Sequence, residues 1–105
     1  PFGRFEGHAG IREAIHDILW PAWHESHHLT TNQVVTFSDP DNATAVCDVD
    51  CVGTLAGEDV CQIVGATYRD KLQRRGGAWK ISERAVTIHY FNPVPGTRLA
   101  APEAP

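Results

Sequence analysis

The chain has 105 residues, 42% of them apolar and 21% charged, with a net charge of −4; this fits one soluble domain that buries roughly two-thirds of its unfolded surface. Nine Lys and Arg against thirteen Asp and Glu leave no basic stripe to neutralise phosphates, so nucleic acid is not an expected partner. No apolar run reaches the length of a membrane span and no signal peptide is visible, so no membrane is expected either, and the cytoplasm is the expected location.

Residues from about His8 to Trp20 show helical periodicity. Ile11, Ala14, Ile15, Ile18, Leu19 and Ala22 form an apolar stripe, with Arg12, Glu13, His16 and Asp17 off it. Pro21 should end or kink this helix. Four strand-like stretches follow: Leu29–Phe37, Ala43–Leu55, Val60–Arg74 and Trp79–Phe91. Turn residues close the first three, at Ser38 to Asn42, Ala56 to Asp59 and Arg75 to Gly77, and turns this short imply antiparallel neighbours. The tail from Asn92 to Pro105 holds four prolines and is expected to run as extended coil. The fold class is therefore α+β, one amphipathic helix followed by a bent four-stranded antiparallel sheet. One helix cannot cover the concave face of such a sheet, so further cover is expected from residues outside this chain or from a partner subunit.

Alternation assigns candidates to that concave face. His28, Thr30, Asn32 and Val34 share a face of the first strand. Cys47, Val49 and Cys51 share one in the second, Val64, Ala66, Tyr68 and Asp70 in the third, and Arg84, Val86, Ile88 and Tyr90 in the fourth. Apolar residues interleaved with one or two polar ones make up a small-molecule pocket, and equally an ordinary half-buried sheet. Arg84 is either a site residue or the ion-pair mate of Asp70, since Glu83 falls on the opposite face. Tyr68 is either a pocket residue or a cross-strand aromatic contact. Cys47, Cys51 and Cys61 are odd in number and contain no C-x-x-C pair, which reads as soft core residues rather than disulfides or zinc ligands.

Three of the six histidines, His24, His27 and His28, fall within five residues, and the run His24-Glu25-Ser26-His27-His28 satisfies H-E-x-x-H. That motif binds zinc only on a helix. Here Pro21 lies just upstream and a Thr- and Val-rich strand just downstream, so no metal site is expected.

The run Leu19 to His28 with Thr31-Asn32 resembles the hexachlorocyclohexane dehydrochlorinases. So do Cys51-Val52-Gly53, Gly65-Ala66-Thr67-Tyr68, Arg74 to Ser82 and Asn92-Pro93. More widely, Gly65 to Arg84 resembles the SnoaL-like branch of the NTF2-like superfamily, which includes scytalone dehydratase and steroid isomerases. The resemblance covers nearly the whole chain as a single domain, 1–105. It implies a cone in which a bent sheet wraps a pocket closed by helices, and a homotrimer. It puts the catalytic histidine at His28, the leaving-group arginine at Arg84 and the substrate-lining positions at Cys51, Tyr68, Asp70, Val86 and Ile88, with Val64 and Ala66 added by strand parity. The family also has an N-terminal helical region before the point where this chain begins. That region carries an aspartate that orients the histidine and a lysine that helps hold the departing halide, and neither has a counterpart here.

The expected activity is a cofactor-independent 1,2-elimination on a small, apolar, cyclic molecule. His28 would be the general base, in a dry hollow with Arg84 across from it to stabilise the leaving anion. Two other functions fit the same residues: a dehydratase or isomerase of a hydroxylated ring or steroid-like ligand, and a non-catalytic binding or assembly domain.

Overall fold

The computed structural model describes residues 3–95. A helical segment comes first: α1 (Gly7–Glu13), a wider π-helical stretch (Ala14–Leu19) and a last turn, α2 (Trp20–Ala22). The helix thus outruns the expected stop. Pro21 sits at the start of its final turn, where a missing N–H costs least. The π stretch just upstream is the kind of local widening that irregular helices adopt. Of the apolar stripe, only Ala14 is buried, while Ile11, Ile18 and Leu19 remain exposed.

Four strands follow, β1 (Trp23–Asp39), β2 (Asn42–Leu55), β3 (Cys61–Arg75) and β4 (Ala78–Val94), as an antiparallel meander in the order β1-β2-β3-β4. β1 starts six residues earlier than its Val- and Thr-rich part suggests, because it pairs with β2 as far as Trp23↔Leu55. β4 likewise runs on through Asn92 and Pro93 to Val94, correcting the expectation of coil there. Pro93 lies on an outer strand, where its missing donor breaks no central ladder. The rest of the proline-rich tail, from residue 96, lies outside the described residues. The hairpin between β3 and β4 turns on Gly76 and Gly77, both at positive φ, as a two-residue turn of this hand requires. At the β1–β2 turn the Asp41 backbone N–H and the Asn42 amide bond the Asp39 carboxylate. These contacts, the Asp41 one first, hold the Asp39 carboxyl below the usual range.

The sheet is strongly curled. Neighbouring strands lie about 4.8 Å apart, so β1 and β4 would be roughly 14 Å apart in a flat sheet. Yet the rings of Trp23 (β1) and Phe91 (β4) have centroids 5.9 Å apart, and those of Phe37 (β1) and Trp79 (β4) 5.7 Å. Aromatic side chains of the two outer strands therefore meet across both ends of a hollow face. Bulges help them bend: β1 is irregular between Thr31 and Val34, and β4 carries an extra residue at His89 and at Ser82. Asn32 takes the strained turn of the β1 bulge, with φ 54°. Its amide donates to Asp48 Oδ2 at 2.9 Å.

The inner strands supply small residues to the tight side of the curl. Ala43, Ala45, Cys47, Val49, Cys51, Val64 and Ala66 are buried, and Tyr68 and Ile88 pack on the cluster of Cys47, Val49 and Ala66. The radius of gyration is 16.9 Å, against about 13 Å for a compact chain of this size. Val35, Phe37, Ile81 and Val86 on the hollow face are exposed, so the single chain leaves much of that face uncovered. No helix among the described residues is long and apolar enough to cross a membrane.

Candidate active site

The register arranges the hollow face in rungs. His28, Cys51, Val64 and Phe91 form one. Thr30, Val49, Ala66 and Ile88 form the next, then Cys47, Tyr68 and Val86, then Val35, Ala45, Asp70 and Arg84. All nine expected site residues, His28, Cys51, Val64, Ala66, Tyr68, Asp70, Arg84, Val86 and Ile88, thus lie on one face. Bulges move three others. The β1 bulge turns Asn32 towards Asp48 and leaves Val34 opposite Val46 on the outer face. The His89 bulge carries Tyr90 to the outer face, over Gly65, and brings Phe91 inward beside Val64. A Cβ at Gly65 would collide with the far end of the exposed Tyr90 ring, so a larger residue there makes that ring swing aside.

Arg84 and Asp70 form the best-defined polar pair of the face. Arg84 Nε donates to Asp70 Oδ1 and Nη2 to Oδ2, both at 2.7 Å, a two-pronged geometry stronger than a single bond. The guanidinium carbon lies 4.2 Å from the centre of the Tyr68 ring, so ring and carboxylate fix its plane from two directions. The hydrogen bonds to Asp70 push the Arg84 pKa up, partly opposed by desolvation. Glu83 instead bonds Lys71 across the outer face at 3.1 Å, as parity requires.

His28 shares its rung with buried Cys51, but its own side is exposed, and the register sets it three rungs from Arg84. The expected dry hollow with the guanidinium directly opposite is therefore not closed within one chain. The reason is physical: β1 is an outer strand with a neighbour on one side only, and its side chains beyond half-buried Trp23 all stay exposed. Burial pushes the Cys51 thiol up, so it is a neutral, compact lining group. The H-E-x-x-H run lies along β1, where a strand cannot present residues i and i+4 as a helix does. Among the described residues no group of three His, Cys, Asp or Glu side chains is placed to hold a metal ion.

Trp23 and Phe91 escaped the sequence reading. They stand at the His28 end of the hollow, and only the strand extension and the His89 bulge put them there. Their aromatic character beside His24 to His28 and Asn92-Pro93 was the available signal.

A curled four-stranded antiparallel meander preceded by a helix, with a mixed apolar and polar inner face, is the architecture of the NTF2-like class. Residues 1–85 match the SnoaL-like domain, and the chain belongs to that family. It is 32% identical over 102 residues to hexachlorocyclohexane dehydrochlorinase 1 of Sphingobium indicum, covering 97% of this chain and 66% of that protein. The crystal structure of the LinA-type3 hexachlorocyclohexane dehydrochlorinase of Novosphingobium barchaimii superposes with a TM-score of 0.86 at 30% identity, over 95% of this chain and 68% of that one. A putative scytalone dehydratase of Novosphingobium aromaticivorans shares the fold, with a TM-score of 0.73 at 19% identity over 91% and 63% of the two chains. This chain thus spans just under two thirds of the length of the dehydrochlorinase it matches.

Proposed function

We propose that the hollow face carries out a 1,2-elimination, removing HCl or a similar small acid from a neutral, apolar, cyclic substrate. The similarity to dehydrochlorinases along 97% of the chain supports the reaction class. The observation that carries the site is the placement of His28 and Arg84 on one inner face with Cys51, Val64, Ala66, Tyr68, Val86 and Ile88 between them.

His28 takes a proton from a ring carbon while the carbon–halogen bond on the neighbouring carbon breaks. The electron pair becomes the new double bond, and the halide leaves towards the guanidinium of Arg84. The base works best when a carboxylate fixes its tautomer and stabilises the imidazolium. This role is assigned to a group in the part of the relatives that this chain does not span. The apolar side chains strip water from the substrate, which strengthens the contact to the departing charge. The uncovered apolar surface fits self-association, and a homo-oligomer is part of the proposal. No cofactor is required by these steps.

The test is halide release from chlorinated cyclohexanes, with cyclic alcohols and steroid-like ketones run in parallel to detect a dehydratase or isomerase. His28→Ala should slow halide release by at least about a hundredfold. An unchanged rate would overturn the assignment of the base.

A further inference from the structure

The Asp70 carboxylate is held inside the sheet, its side chain 6% exposed, whereas the Arg84 side chain is 40% exposed on the hollow side. A guanidinium has five N–H donors, and Asp70 engages two of them, so the other three remain to face the hollow. Their plane is fixed by the Tyr68 ring at 4.2 Å. The arrangement offers hydrogen bonds to an anion from a cation whose charge is already balanced.

We infer that Asp70 is a positioning residue that governs how tightly Arg84 holds a small anion: the carboxylate aims the free N–H edge into the hollow and offsets its charge, so a departing halide is stabilised and then released. The anion's identity rests on the elimination reading above; the charge balance does not. A lone guanidinium in a desolvated hollow would hold the product halide and be inhibited by it. A guanidinium lacking its carboxylate would also be free to swing off the Tyr68 ring. The neutral pair further disfavours substrates that arrive already charged, because no net charge remains to offset the loss of their hydration.

Chloride binding to the full chain is measured by chloride NMR line broadening without any organic substrate, so no turnover is needed. Asp70→Asn keeps the shape and removes the charge. It should bind chloride at least about tenfold more tightly than the wild type. Asp70→Asn combined with Arg84→Gln should return to the wild-type level. Asp70→Ser, which leaves room for a water on the guanidinium, serves the same purpose where Asp70→Asn does not fold. A merely structural aspartate would change stability without tightening chloride. Equal chloride affinity in the wild type and in the Asp70 variant overturns the inference. Tighter chloride in a protein that eliminates nothing from any substrate would defeat the function proposed above and leave this inference standing.

Discussion

Trp23 and Phe91 lie on the first and last strands of the sheet, and their rings nevertheless come within 5.9 Å of each other. The contact is a cross-brace over the His28 end of the hollow. Removing either ring should let the outer strands spread. Phe91→Ala is expected to lower stability by about 1–2 kcal/mol in urea unfolding, modest because the ring is partly exposed. A double-mutant cycle with Trp23→Ala should give a coupling of about 0.5–1.5 kcal/mol. Zero coupling would mean the curl is held by the bulges alone.

The Tyr90 ring lies over Gly65, and a methyl group there would run into its far end. Gly65→Ala should therefore destabilise the fold by about 1–3 kcal/mol, as overpacking does. Tyr90→Ala on its own should cost less. The double variant should be more stable than Gly65→Ala, an order that thermal unfolding of the three proteins can check.

Arg84→Lys keeps the charge but loses the fork to Asp70 and the flat stack on Tyr68. Halide release should fall about tenfold or more, with a loss of stability near 1 kcal/mol, because the Arg84 side chain is 40% exposed and the lysine keeps the charge. Wild-type turnover in Arg84→Lys would show that only a point charge is needed.

The Cys51 thiol is raised above its ordinary value of 9.0 by burial. As the pH climbs past that value the unfolded chain gives up a proton that the folded chain keeps, so stability declines until the folded thiol ionises too. Cys51→Ala should remove this alkaline decline from the urea midpoint. A thiol reagent at pH 8 should modify the half-buried Cys61 faster than Cys51.

The sequence exposes the meander and its inner face because alternation is unbroken through β2 and most of β3. From Ala43 to Cys51 every second residue is small or apolar and buried, and from Val64 the same spacing gives buried Val64 and Ala66, half-buried Tyr68 and buried Asp70. Alternation fails at Asn32, Val34 and Tyr90, since one extra residue in a strand reverses the facing of everything beyond it. Nothing in the letters Thr-Ile-His-Tyr-Phe marks His89 as that residue. Trp23 escaped notice for another reason: the strand pattern begins only at Leu29, whereas β2 draws Trp23 and Glu25 to His28 into its ladder as well. The Arg84–Asp70 pair was legible from parity alone. The exposure of His28 was not, because alternation gives a side chain its direction but not its cover.

Val86 is 53% exposed on an outer strand, whereas the buried small residues belong to the two central strands and Ile88, one rung away, packs on them. Two neighbouring positions on β4 thus differ in what they cost to alter: the scaffold tolerates exchange at 86 and resists it at 88.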